Sequence, residues 1–144
     1  MKFTFEETIE NHRKMWLWIS QKIMEDAKHG IARAIECYKR SYKINVMETR
    51  EYIRADCFCC HYSHITAKNH CDSCPLYWND RKTEDVCYAQ KSYYYMLYYK
   101  LNDMLEDGIS YKEAKRCATL AYKIAMLPIR EEKCINLTHI GQMN

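Results

Sequence analysis

Residues 57–78 read CFCCHYSHITAKNHCDSCPLYW, and this stretch decides how the rest of the chain divides. It holds two C-x2-C pairs, Cys57/Cys60 and Cys71/Cys74, separated by ten residues. In such a pair both sulfurs can turn toward one tetrahedral metal, and two pairs complete the four-thiolate shell of a structural zinc site. A closed shell leaves no position for a reactive water. No helical or strand period persists from 57 to 79, so the stretch reads as a loop-rich zinc module inserted between two helical halves of one domain, 1–56 and 84–127. Cys87 is the main alternative ligand. Cys59, His61, His64 and His70 also lie close enough in sequence to replace one member, because imidazole binds zinc too. Lys68 is placed to offset part of the charge of four thiolates. The competing reading, small buried side chains, is weaker because chance rarely sets two cysteine pairs at ligand spacing.

On the amino-terminal side, Phe5, Ile9, His12, Trp16, Ile19 and Ile23 alternate in steps of four and three, the apolar stripe of a helix. Thr4 with Glu7 makes a capping box at its start, and Gly30 suits a left-handed cap at its end. A second helix from Ile31 sets Ile35, Tyr38 and Tyr42 on one side and Arg33, Arg40 and Lys43 on a solvated basic side. Residues 48–56 admit a short helix. Beyond the module a long helix is expected from 84 to 107, stopped by Gly108, and another opens on the Ser110/Glu113 capping box and runs to about Leu127, before Pro128. Ala114, Cys117, Ala118, Ala121 and Ala125 share one face of that helix, where small residues permit close packing. No dependable pattern extends over 129–144.

Composition supports this mainly α reading. The chain has 144 residues, 48% hydrophobic and 28% charged, a size and balance suited to one folded domain. Three glycines and two prolines allow few sharp turns, which disfavours a β-sandwich or barrel. No apolar run approaches the roughly 20 residues of a membrane span, and acids stand where an export signal would be basic and then apolar. The expected location is the cytoplasm, with no membrane partner. Nine cysteines cannot all pair within the chain, and a reducing compartment favours metal ligation over disulfides.

Catalytic readings of the same residues fail on spacing. A zinc nucleobase deaminase requires His-x-Glu upstream of Pro-Cys-x-x-Cys, whereas Pro75 follows the second pair here. An HNH-type nuclease would need more than ten residues between the pairs to hold a ββα unit, and its histidines a carboxylate partner. There is no phosphate-cradling glycine loop and no serine elbow. The expectation is a protein that is not an enzyme.

The combination of HRKMWLWI (12–19), CFCCHY (57–62) and CDSCPLYW (71–78) resembles a family of small cysteine-containing phage and prophage proteins. The resemblance covers roughly the first 90 residues. It implies a phage origin, working in the host cytoplasm, and a role in binding a host protein, as anti-CRISPR and other anti-defence inhibitors do. Cys59, the histidines and the tyrosine-rich carboxy-terminal part depart from the shared pattern, which puts any specialised role in that part.

KSYYYMLYYK (91–100) is the second unusual stretch. On a helix, Cys87, Tyr94, Tyr98, Leu101 and Leu105 form one stripe, and Tyr88, Tyr95 and Tyr99 another about 120° away. The first is core. The second either widens the buried face or offers rings to a partner. The candidate partner-binding set is Tyr88, Lys91, Tyr95, Tyr99, Lys112, Arg116 and Lys123. Protein–protein contact is the leading use; nucleic-acid binding through rings and amines is the alternative, and an exposed aromatic face would also suit a homodimer. Trp16 belongs to the apolar stripe, while Trp18 points elsewhere, toward the zinc module or a partner.

Overall fold

Thr4 and Glu7 do begin the first helix. The Thr4 hydroxyl accepts the Glu7 N–H at 3.1 Å while the Glu7 carboxylate accepts the Thr4 N–H at 2.9 Å, satisfying two donors that a helix start leaves open. The computed structural model describes residues 2–66, 74–78, 87 and 92–130. Within them the fold is mainly α: α1 (Phe5–Lys28), α2 (Ile35–Ser41) continuing as a π-helical turn (Tyr42–Val46), α3 (Phe58–Thr66), α4 (Tyr93–Asp107) and α5 (Tyr111–Ala125). No strand forms among the described residues; an isolated antiparallel bridge joins Leu76 to Ile129.

The stripe of α1 faces α5, the most extensive helix pairing, and the two run antiparallel. Ala114, Cys117, Ala118 and Ala121 are buried along α5, and their small side chains let α1 approach closely enough for Ser20 to donate to the Ala118 carbonyl at 2.7 Å. At the other end His12, 1% exposed, bonds the Ile124 carbonyl through Nε2 at 2.9 Å, while its Nδ1 has no partner among the described residues. Nε2 must therefore carry the proton. This bond adds to the Leu127 N–H that the Ile124 carbonyl accepts at 3.3 Å in the last turn of α5.

Burial lowers the His12 pKa from 6.5 to about 4, against the opposing effect of the Ile124 carbonyl. The unfolded chain then binds more protons than the folded one between those values, so stability is complete above pH 6.5 and declines as pH falls toward 4. Full protonation costs about 3 kcal/mol at 1.36 kcal/mol per pKa unit. Urea unfolding of wild type and His12→Gln at pH 4, 5 and 7 should show a stability difference that shifts by that amount in wild type's disfavour on acidification. A difference constant with pH would refute the assignment.

Several expectations are corrected. The stretch read as loop contains α3, whose Phe58, Cys59, His61, Tyr62 and Ser63 are buried against α1 and its neighbours; tertiary contact holds a helix too short to show a period. The helix read from 84 begins at Tyr93, because the Ser92 hydroxyl caps it by accepting the Tyr95 N–H at 3.1 Å, and Cys87 lies in a turn. Ile31 precedes α2, which starts after Ala34. In place of a helix over 48–56 there is a single 3-10 turn, Arg54–Asp56, with Ala55 at φ 55°. The basic side of α2 is not simply solvated: Arg33 pairs with Asp26 at 3.0 Å and Lys43 with Asp56 at 2.9 Å. Trp18 meets Tyr42 edge-on, with centroids 5.6 Å apart. Gly30, at φ 71°, follows α1 with the positive φ expected of its left-handed cap, and Gly108 stops α4 as expected, at φ 95° and ψ 166°.

Candidate functional site

The cysteines of the first pair flank the start of α3, and Cys74 enters from the short segment that bridges to Ile129. Cys57 hydrogen-bonds Cys60, Cys60 hydrogen-bonds Cys87, and Cys59 hydrogen-bonds Cys74. The Cys57/Cys60 pair is thus brought to Cys87, and Cys59 to Cys74, beside α3. Cys71, His70 and Lys68 lie outside the described residues. Among the described residues no group of three or more His, Cys, Asp or Glu side chains is arranged to hold a metal ion. Seven cysteines there are free thiols.

Their surroundings differ from those of inert buried thiols. The backbone N–H of Cys60 points at the Cys57 sulfur, and the backbone N–H of Leu76 at the Cys74 sulfur. The indole Nε1–H of buried Trp78 donates to Cys74 Sγ at 3.4 Å. Donors aimed at sulfur favour thiolate over thiol. Accordingly Cys74 is held below its ordinary pKa, first by the Cys59 hydrogen bond and then by the Leu76 and Trp78 donors, against burial. Cys59 is pushed up by burial and by the Cys74 bond; Cys57 is pushed up by its bond to Cys60 and by burial. The Cys57 bond lowers Cys60, but the Cys87 bond and burial outweigh it and carry Cys60 up to about 12.

Lys39 adds a cation to this cluster. It is 5% exposed, and its ammonium donates to the Ala55 carbonyl at 3.1 Å and the Tyr94 hydroxyl at 2.9 Å. No carboxylate pairs with it among the described residues. Burial opposes the ammonium, and the groups that favour it are Tyr94, Cys57 and Cys60. Lys39 thus lies beside Cys57 and Cys60, the two thiols that burial and neighbouring thiols hold protonated, and would offset their negative charge if a metal displaced those protons. Soft sulfur donors, N–H groups aimed at two of them and a buried cation fit a zinc thiolate centre in chemistry.

The histidines are used otherwise. His61 accepts the Arg54 N–H on Nδ1 at 3.1 Å and packs edge-on to Phe3 and Tyr52, while His64 is exposed. Sequence reading missed Lys39, which sits between Tyr38 and Arg40 on a helix that looks merely basic. It also missed Trp78, although C-x3-W spacing places the indole one helical turn's length from Cys74.

The partner-binding candidates separate. Tyr88 and Lys91 lie outside the described residues. Tyr95 and Tyr99, one turn apart on α4, pack with ring centroids 4.6 Å apart and planes tilted by 51°, and Tyr99 is 49% exposed. Tyr94 instead packs between Trp16 and Trp78, edge-on to both at 6.0 and 6.3 Å. Lys112, Arg116 and Lys123 are exposed on α5. Arg116 pairs with Glu113 at 2.9 Å, and the Lys123 ammonium lies 5.5 Å from the Tyr93 ring centroid. No helix among the described residues is long and apolar enough to cross a membrane.

The fold and this cluster define a mainly α single domain with a thiol-rich junction between its helices. No protein family matches the chain, and no characterised protein or solved structure is similar to it.

Proposed function

We propose that the chain is a zinc-stabilised helical binding protein of phage type, which acts in the host cytoplasm by contact with a host protein and inhibits a defence system of the anti-CRISPR kind, without catalysis of its own. The zinc would be held by Cys57, Cys60, Cys74 and either Cys71 or Cys87, and would supply cross-linking between α3, the 74–78 segment and the start of α4. The observation that carries a structural role for the thiols is Lys39, an ammonium buried beside them with no carboxylate partner among the described residues. What supports partner binding is the exposed Tyr99 of α4 and the exposed Lys112, Arg116 and Lys123 of α5, whereas Arg33 and Lys43 pair with Asp26 and Asp56.

An affinity-tagged chain expressed in a bacterial host should capture a host protein that stays bound after nuclease treatment, and should reduce CRISPR-dependent restriction of phage plating. Recovery of no host protein would overturn the reading. Nucleic-acid binding is the second reading, favoured by the exposed Tyr99 ring beside Lys100. It requires DNA or RNA affinity that falls steeply with salt.

A further inference from the structure

Helices α4 and α5 meet through the Gly108–Ser110 turn and enclose between them an open hollow of ≈ 440 Å3. Met96 and Leu120 give it an apolar lining. Five cations share that lining: Lys100, Lys112, Lys115, Arg116 and Lys123. Glu113 pairs with two of them, Lys100 at 3.4 Å and Arg116 at 2.9 Å. Lys112, Lys115 and Lys123 form no ion pair among the described residues. A net charge of +3 for the whole chain therefore hides a concentrated positive site, since Arg33, Arg40 and Lys43 elsewhere are matched by Asp26 and Asp56.

Resting on the binding-protein reading above, we propose that this hollow is the partner site and that its occupant is an acidic amphipathic segment of a protein. An apolar side chain of the segment enters between Met96 and Leu120, and carboxylates on either side meet Lys112, Lys115 and Lys123. Methionine adapts its shape to an inserted group, and the lysine stems extend the apolar wall while their ammonium groups stay at the rim. Single-stranded nucleic acid fits less well because it needs open ring faces on which bases stack. Among the described residues no aromatic ring lines the hollow. A helix-in-groove contact requires apolar anchors at one face and charge complementarity around them, both of which this hollow provides.

The test uses the full-length chain and fluorescence anisotropy. The probes are a labelled peptide of about eighteen residues with leucines at i, i+3, i+4 and i+7 among glutamates, its permuted counterpart of identical composition, and an oligothymidine of similar length. The amphipathic peptide should bind at least about tenfold more tightly than the permuted one, and Lys112→Glu/Lys115→Glu should weaken it by about tenfold or more. Lys2→Glu/Lys14→Glu, equal in charge change and outside the lining of the hollow, should stay within about twofold. Equal affinity for both peptides, tighter binding of oligothymidine, or indifference to Lys112→Glu/Lys115→Glu would overturn the proposal. Self-association lost in that variant would overturn it in favour of a second copy as occupant. Capture from host cells separates the two levels: a host protein retained by both wild type and Lys112→Glu/Lys115→Glu sinks the hollow as the site and leaves the binding reading, whereas peptide binding without any host protein sinks the binding reading alone.

Discussion

Metal analysis of the purified chain is expected to find about one zinc per molecule, and a strong chelator should lower its unfolding midpoint sharply and expose the buried thiols to modification. Structural zinc contributes about 10 kcal/mol or more to folding in small sites, comparable to the whole stability of a domain this size. The sulfurs at stake belong to three pieces of chain: α3, the 74–78 segment and the turn at Cys87. Cys57→Ser and Cys74→Ser should lose zinc, whereas Cys37→Ser, on the exposed side of α2, should keep it. Lys39→Met should weaken zinc retention without removing a ligand, because the ammonium that offsets thiolate charge is gone. A cooperative, metal-free fold with an unchanged midpoint after chelation would refute the zinc reading while leaving the α1 and α5 packing as described.

Trp16→Ala should be the most damaging single substitution in the helical core, costing about 3–5 kcal/mol in chemical denaturation. Trp16 is 1% exposed, its ring meets Tyr94 edge-on at 6.0 Å, and through Tyr94 it reaches Trp78 and the buried Lys39. Truncation removes the bridge between α1 and α4 as well as its buried area. Trp16→Phe is the informative companion. The indole Nε1 has no hydrogen-bond partner among the described residues, so phenylalanine forfeits volume alone and should cost less than about 1.5 kcal/mol. Equal losses for both variants would mean that the indole N–H matters in a way its surroundings do not explain.

The same cluster shows where reading a sequence succeeds. The α1 stripe and its Thr4/Glu7 box are local signals: each depends on residues within two turns, so periodicity and hydrogen-bonding chemistry reveal them directly. The Ser110 cap of α5 and the glycines after α1 and α4 are local in the same way. Ser92 is an equally good cap, yet the tyrosine run after it lacks the polar contrast that would mark a helix face, and the start of α4 was set too early. Helix α3 is hidden for a different reason. Nine residues with histidines and cysteines carry almost no period, and their helical state depends on burial against α1.

By themselves, the residues of this chain determine that it is helical, where α1 and α5 begin, which face of α5 is small, and that two cysteine pairs stand at metal-ligand spacing. Those properties follow from interactions between near neighbours. Tertiary structure alone decides that Cys87 and Cys59 join the pairs, that Lys39 is buried against sulfur instead of solvated, and that Lys100 on α4 faces Lys112 and Lys115 on α5 across one hollow. Each of these depends on side chains far apart in sequence, and their charge and burial acquire meaning only when packing brings them together. The cysteine stretch therefore reveals a junction, while the positive hollow that we assign to the partner arises from the way the last two helices pack.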